Sequence, residues 1–311
     1  MPSSITHLKI GKKIGKYIAK NYKIVKSKIF TKYHLIEKMS LGQDLTYDNA
    51  NLFKTSHKYH TQDFFISLLY NIKKDKLYEN NNVMSFLYGH IIHLTTDSIL
   101  HPFIYFFDKG FKQQGLIKNH QIIEWEMDKL IPKLSIFKNQ EANLENIKAN
   151  IYDQETTTLI DKLYGKVYQA KNTSKIYQSS EKKIYLLTKI LTKINQTTLE
   201  KYLYYPFFKS NNIKNINFLF NSEHYTWTNP FTFETFNNSL EELINQIITK
   251  SITLIQEANL YIYGYHDSID KLLVVFKDLS YNTNTYCDYY TNLPLQTIHE
   301  NPQILKKYLC K

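Results

Sequence analysis

Apolar residues recur at helical spacing along almost the whole chain. One stripe consists of Ile10, Ile14 and Ile18, and another runs from Phe64 to Ile72. Steps of three and four residues place such side chains on one face of an α-helix, whereas a half-buried strand would alternate strictly. Only 8 Gly and 7 Pro occur in 311 residues, which disfavours a β-sandwich, a β-barrel or a glycine-loop nucleotide-binding fold. The pattern predicts an all-α protein, a multi-helix bundle.

The same spacing predicts individual helices and a division of the chain. Pro102 should end the helix that begins near Val83, and no segment shows the chemistry of a β-hairpin. Eight of the 11 histidines lie in the first 120 residues, so we expect a histidine-rich domain over 1–170 and a helical extension packed on it over 171–311. The predicted helices are 83–100, 117–130, 143–168, 181–202, 239–259 and 266–279.

Lysine supplies all the positive charge of the side chains. All 39 basic residues are Lys, and with 28 acidic residues the formal net charge is +11. This excess is typical of a lysine-covered surface or of a protein that binds nucleic acid or anionic lipid, and the absence of Arg, the better phosphate ligand, weighs against the second interpretation. Cys287 and Cys310 are too few for a disulfide scaffold or a cysteine-rich zinc fold.

The beginning of the sequence lacks the pattern of a secretion signal, because no basic segment precedes a short apolar run. No apolar run anywhere reaches the roughly 18 residues that a membrane-spanning helix needs. We therefore expect a cytoplasmic protein with no transmembrane segment.

Titratable side chains recur every four residues in the segment 89–102. His93, Asp97 and His101 would lie along one face of a helix, and His120 and Glu124 repeat the spacing. Two imidazoles and a carboxylate that converge are ligands that zinc prefers. Each pair alone is more typical of a surface pair or a hydrogen-bonded core histidine, but a carboxylate on a buried helix needs a cation or a full set of hydrogen bonds. The combination predicts a metal cluster between helices.

Five segments within the first 130 residues form an ordered set of motifs. The first two are Thr6-His7-Leu8 and Leu41-Gly42-Gln43-Asp44. The third is Ser56-His57, followed by Thr61 and Asp63-Phe64-Phe65. The fourth is Phe86-Leu87-Tyr88-Gly89, followed by His93, Asp97 and His101-Pro102, and the fifth is His120 with Glu124. As a set, they resemble the zinc-dependent phospholipase C family, which is related to the single-strand-specific nucleases with a trinuclear zinc site. The resemblance implies a catalytic domain over residues 1–170.

The resemblance also implies about two to three zinc ions in the site. The implied ligand sets are Asp44, His57, His93 and Asp97 for the first metal, His101, His120 and Glu124 for the second, and His7 and Asp97 for the third. Asp44 could also orient the attacking water as a general base. His57 and His60 compete for one ligand position, and the Ser-His context favours His57. His90 has no implied ligand role and is expected to form a hydrogen bond behind the ligands, whereas Glu126 and Asp128 are expected to be solvated.

Three classes of function follow. The first is a zinc-dependent phosphodiester hydrolase, phospholipase C-like, whose substrate is a phospholipid or a nucleic acid, with a small intracellular phosphodiester equally open. A nuclease of the same superfamily is the alternative within this class. The second is a non-catalytic helical protein that binds metal. The coordination of the zinc distinguishes the first two classes, because protein ligands fill every position of a structural zinc ion, whereas a catalytic zinc ion keeps one position open. The third, a lysine-rich nucleic-acid scaffold, requires the histidines and carboxylates to be accidental. No stable protein partner is implied.

Overall fold

The computed structural model describes residues 4–21, 33–113, 120–138, 140, 142–194, 219–281 and 283–284. Over these residues the chain forms α-helices, short 3-10 helices and a two-residue pair of strands, so the predicted all-α class is confirmed. The α-helices are α1 Ser4–Asn21, α2 Tyr33–Met39, α3 Ala50–Lys58, α4 Thr61–Lys74, α5 Asn81–Gln113, α6 His120–Leu130, α7 Gln154–Tyr168, α8 Thr173–Ile194, α9 Leu240–Ile262 and α10 Ile269–Val275. The 3-10 helices span Gly42–Thr46, Leu77–Glu79, Ile131–Lys133, Ser135–Phe137 and Leu144–Lys148.

Helix α5 is the central element of the bundle. Every side chain from Val83 to Ser98 is buried, because α1, α2, α6, α7 and α9 all pack against this helix. Gly89 allows α2 to approach closely: a Cβ at this position would lie 2.3 Å from the carbonyl carbon of Met39 in α2. The length and the burial of α5 explain why its polar side chains face other helices and not solvent.

Helix α5 does not end before Pro102, and that prediction from the sequence was wrong. The helix continues through Pro102 to Gln113. A proline in a helix interior costs about 3 kcal/mol, because its ring meets the carbonyl of the residue four positions earlier and its nitrogen carries no hydrogen. Phe103, Ile104 and Phe106 beyond it are all buried. Burial of such a side chain contributes about 1.5–3 kcal/mol, so together they outweigh the cost.

Side-chain caps set two helix starts that the apolar spacing misplaced. The Asp153 side chain accepts a hydrogen bond from the Thr156 N–H and starts α7. The predicted helix 143–168 is therefore a 3-10 helix followed by a separate α-helix. Ser268 caps α10, which is shorter than the predicted 266–279. An N-cap residue fixes the first turn through a hydrogen bond of its own side chain, and the spacing of apolar residues does not show where that bond forms.

The other predicted helices are present with shifted ends. Helix α8 begins at Thr173 and not at Glu181, and α9 runs from a Ser239–Glu242 capping box to Ile262. Residues 117–119 and 195–202 of the predicted helices lie outside the described residues.

A short antiparallel pair of strands, β1 (Trp227–Thr228) and β2 (Thr235–Phe236), was not predicted. The Trp227 ring stacks on Phe236 at 4.8 Å and meets Phe103 of α5 edge-on at 5.3 Å between ring centroids. Two residues per strand are too few to show alternation in the sequence.

Residues on both sides of position 170 contribute to one hydrophobic core. Side chains of α9, such as Ile244 and Ile255, are buried in the same cluster as those of α1, α4 and α5. The division of the chain at residue 170 stays a prediction. Over the described residues, no helix has both the length and the apolar character needed to cross a membrane.

Candidate metal centre

Five elements bring seven titratable side chains to one place inside the bundle. Helix α5 contributes three of them, and α1, α3, α6 and the 3-10 helix Gly42–Thr46 contribute one each. All seven are at most 6% exposed. We call them the histidine–carboxylate cluster; its members are His7, Asp44, His57, His93, Asp97, His101 and Glu124.

Asp97 is the link between the parts of this cluster. Its Oδ1 lies 3.1 Å from His7 Nε2, and its Oδ2 lies 3.3 Å from His93 Nε2 and 4.0 Å from His101 Nδ1. His101 Nε2 in turn lies 3.2 Å from Glu124 Oε1. The spacing of four residues on α5 therefore produces the shared face that the sequence predicted.

Asp44 and His57 complete the cluster from the other side. His57 Nε2 lies 3.2 Å from Asp44 Oδ1. Ligand atoms of His7, Asp44 and His93 all lie within 4.8 Å of one another, and so do those of His57, His93 and Asp97. His93 belongs to both groups, and its Nε2 can bind only one ion, so both groups describe the surroundings of one metal position beside His93.

Backbone carbonyls fix the direction of three of the imidazoles. The Nδ1 atoms of His57, His93 and His101 lie 2.7, 3.2 and 3.0 Å from the carbonyl oxygens of Phe53, Ser40 and Tyr281. A carbonyl can only accept a hydrogen bond, so each Nδ1 must carry the proton. A metal ion binds the neutral form of such a ring, and in that form the unprotonated Nε2 is the atom that faces the cluster.

Gly42 permits the contact between the Asp44 segment and α5. Its φ is +47°, and a Cβ at this position would lie 2.4 Å from Cβ and Cγ of His93. Only glycine combines this backbone conformation with this close approach. Gly42 therefore explains why Asp44 can sit beside the His93 imidazole.

Asp128 positions His7 by capping helix α1. Its carboxylate accepts hydrogen bonds from the N–H groups of Ile5 and Thr6, at 3.2 and 2.8 Å. The prediction that Asp128 is solvated was wrong, because this side chain closes the start of another helix. Glu126 is buried as well, with an ion pair to Lys129 at 2.5 Å, so the same prediction was wrong for it.

Several polar atoms of the cluster have no hydrogen-bond partner among the described residues. They are His7 Nδ1, Asp44 Oδ1, His57 Nε2, His93 Nε2, Asp97 Oδ2 and Glu124 Oε2. A buried polar atom left unpaired costs about 1–3 kcal/mol. Nitrogen and carboxylate oxygen atoms that are left unpaired together are a donor set that suits zinc, so these residues fit the metal that the sequence predicted.

The pKa values show how the metal-free cluster balances its charge. Burial disfavours a charged His101, but Asp97 and Glu124 outweigh burial and raise its pKa to about 9. Burial also opposes charge on His7, yet the hydrogen bond to Asp97 raises the pKa of His7. Burial raises the pKa of Asp44, whereas the surrounding imidazoles outweigh it at Asp97 and lower that pKa. Protons on imidazoles thus compensate the buried carboxylates.

The remaining predicted residues take separate positions. The His60 side chain is 53% exposed and pairs with Asp63, so the structure brings His57 and not His60 into the cluster. His120 begins α6, but its side chain lies outside the described residues. His90 is fully buried, with Nδ1 2.8 Å from the Phe86 carbonyl and Nε2 2.9 Å from Tyr177 Oη, so its bonds lead away from the ligands.

Fold and site together define an all-helical protein with a buried histidine–carboxylate cluster suited to metal ions. The sequence model of the zinc-dependent phospholipase C family matches residues 6–176, more than half of the chain. The chain belongs to this family, and the family predicted from the motifs is confirmed. Neither the curated proteins nor the solved structures gave a match. The matched residues include the whole histidine–carboxylate cluster.

Proposed function

We propose that this protein is a zinc-dependent phosphodiester hydrolase, phospholipase C-like, in which water attacks phosphorus at a multinuclear zinc site. One observation carries the proposal: nitrogen and carboxylate oxygen atoms of the cluster are buried and lack hydrogen-bond partners among the described residues. A core without a ligand to bind would be more stable with these groups paired or replaced by apolar ones. Family membership supports zinc as the ion.

The proposed ligand sets follow the elements that carry them. Asp44, His57, His93 and Asp97 would hold one ion; His101 and Glu124, with His120, a second; and His7 with Asp97 a third. Seven of these eight side chains meet in the structure, and Asp97 faces His7 through one oxygen and His93 through the other. Occupation by about two to three ions would leave coordination positions for water and substrate, as catalytic zinc requires.

Bound zinc would supply the charge that activates water near neutral pH and stabilises the leaving oxygen. Asp44 would orient the attacking water and accept its proton at a carboxylate oxygen. The His57 Nδ1 donates to the Phe53 carbonyl, so its Nε2, 3.2 Å from Asp44 Oδ1, would bind the same ion as that carboxylate.

The family favours a phospholipid headgroup linkage as the substrate. Hydrolysis of a nucleic acid needs the same attack on phosphorus, so the ligand residues alone serve either reaction. The test is therefore a panel of phosphatidylcholine vesicles, single-stranded DNA, single-stranded RNA and bis(p-nitrophenyl) phosphate, incubated with zinc-loaded protein.

We expect hydrolysis of the vesicles, and a loss of roughly 100-fold or more in His57→Ala, because a ligand of the first ion is gone. His60→Ala is the matched control, since His60 is exposed and outside the cluster, and it should retain full activity. Cleavage of nucleic acid alone would indicate the nuclease alternative. A zinc-loaded protein that hydrolyses nothing in the panel would instead be a non-catalytic metal-binding protein.

A further inference from the structure

A segment outside the family match reaches the histidine–carboxylate cluster. The match ends at residue 176, whereas Ser280 and Tyr281 follow α10 near the end of the described chain. Tyr281 is fully buried and Ser280 is 2% exposed. The cluster is therefore completed by a part of the chain that the family motifs do not include.

The backbone of Tyr281 bonds to two histidines from different helices. Its N–H donates to the carbonyl oxygen of His57 in α3, at 3.0 Å, and its own carbonyl oxygen accepts from His101 Nδ1 in α5, also at 3.0 Å. The Ser280 hydroxyl donates to the same His57 carbonyl at 3.3 Å. One residue thus fixes the position of one histidine and the ring orientation of another.

The side chain of Tyr281 covers the same histidines. Its ring centroid lies 5.7 Å from that of His57 and 5.6 Å from that of His93. An aromatic ring against two imidazoles limits their rotation and excludes water from one side of the cluster.

The segment is anchored independently of the cluster. Phe276 stacks on Phe65 of α4, with ring centroids 5.0 Å apart. The Gln62 side-chain amide donates to the Phe276 carbonyl at 2.9 Å, and its backbone N–H donates to the Asp278 carboxylate at 3.2 Å. The position of Tyr281 is therefore imposed from α4, and Tyr281 can in turn constrain the histidines.

We propose that Tyr281 is a positioning residue of the metal centre, which clamps His57 and His101, the ligands proposed for two different ions. The inference rests on the proposed function only for the presence of those ions. Groups that orient metal-binding imidazoles typically change metal affinity by about 10–100-fold when they are lost. The carboxy-terminal region is then part of the metal centre and not an accessory to it.

The test compares Tyr281→Leu with Phe276→Leu in the full-length protein. Both changes remove a buried ring from the same segment, but only Tyr281 touches the histidines. Zinc affinity is measured by chelator competition, and the visible absorption spectrum of the cobalt(II)-substituted protein reports the geometry of the ligands. Tyr281→Leu keeps both backbone hydrogen bonds but removes the ring that packs on His57 and His93, so we expect it to weaken zinc binding by about 10-fold and to change the cobalt spectrum. Tyr281→Pro also removes the N–H that donates to the His57 carbonyl and should weaken zinc binding further. Phe276→Leu and the conservative Tyr281→Phe should match the wild type.

Equal zinc affinity and identical cobalt spectra for Tyr281→Leu and Phe276→Leu would overturn the inference. If Tyr281→Leu does not fold, Tyr281→Met fills the same space with an unbranched side chain and no ring, and it should still lower zinc affinity by about threefold. An unchanged affinity in that variant would also overturn the inference. These readouts need no substrate. A protein that binds zinc through this clamp but hydrolyses nothing would contradict the proposed function and leave the inference standing.

Discussion

The two carboxylate oxygens of Asp97 face different histidines, His7 at 3.1 Å and His93 at 3.3 Å, while His101 lies 4.0 Å from the second oxygen. In the metal-free protein this buried charge is compensated by protons, because Asp97 and Glu124 raise the pKa of His101. A Zn²⁺ ion would also bring positive charge to these carboxylates, and it needs the same nitrogen atoms unprotonated. Protons and zinc therefore compete for one set of atoms.

This competition predicts that zinc binding releases protons. Burial opposes a charged His101, but its carboxylate neighbours raise its pKa to about 9, so the ring is protonated at pH 7 in the metal-free protein. Zinc must displace that proton, and His101→Ala should release about one proton fewer than the wild type. Isothermal titration calorimetry in buffers of different ionisation enthalpy measures the number released. Equal proton release by the two proteins would contradict the charge balance described for the cluster.

His90 predicts a loss of stability in acid that does not involve the ligands. Burial lowers the pKa of His90 from 6.5 to about 3, so the unfolded chain takes up a proton more readily than the folded one. The contribution of neutral His90 to the free energy of unfolding is therefore fully present above pH 6.5 and is lost as the pH falls towards 3. At 1.36 kcal/mol per pKa unit, the loss between pH 7 and pH 5 is about 2 kcal/mol.

Urea unfolding of the metal-free protein at these two pH values measures this loss. The His90→Gln variant lacks the titrating group, so its free energy of unfolding should fall by about 2 kcal/mol less than that of the wild type. The same pH dependence in both proteins would show that His90 does not carry the effect.

Sequence spacing predicted those parts of the cluster that are local in the chain. His93, Asp97 and His101 are four residues apart on one helix, so a single period placed them together. The Ser-His context favoured His57 over His60 in the sequence, and the exposure of His60 together with the burial of His57 is what the structure adds. Tyr281 contacts both His101, about 180 residues earlier in the chain, and His57, about 224 residues earlier. No local sequence pattern predicts contacts between residues so far apart.

At the scale of elements, the apolar period predicted which segments are helical, and tertiary packing and caps decided where they end. The burial of Phe103, Ile104 and Phe106 carries α5 past Pro102. The Asp128 carboxylate caps α1 from a different helix. Such ends depend on partners that are distant in the sequence or on single hydrogen bonds, so a pattern along one helix cannot locate them.

The close approach of α2 and α5 predicts opposite effects for two Gly→Ala changes. At Gly89 a Cβ would lie 2.3 Å from the Met39 backbone, so Gly89→Ala must separate the two helices and should lower the free energy of unfolding by about 1–3 kcal/mol. Gly165, on the exposed side of α7, has its nearest contact at 3.5 Å. Gly165→Ala should raise stability by about 0.5–1 kcal/mol. Denaturant unfolding measures both, and a destabilisation of equal size at the two positions would contradict this packing.

At the scale of the whole molecule, the bundle stabilises a group of side chains that would otherwise be unfavourable in a core. One hydrophobic cluster with members from α1 to Tyr281 surrounds the seven titratable residues. Buried carboxylates and imidazoles oppose folding unless they are paired, so seven of them packed together are the kind of local conflict that a functional site produces. The carboxy-terminal region adds to this enclosure through Tyr281. Occupation by zinc should accordingly stabilise the whole fold, because metal binds the folded state and not the unfolded one.

The most direct test of the account is the metal content per chain of the purified protein, measured by mass spectrometry for the wild type and for Asp97→Ala. We predict about two to three zinc ions in the wild type and a loss of most of this zinc in the variant, because Asp97 faces histidines of more than one ligand set. A wild-type protein that stays folded without metal and takes up no added zinc would contradict the account.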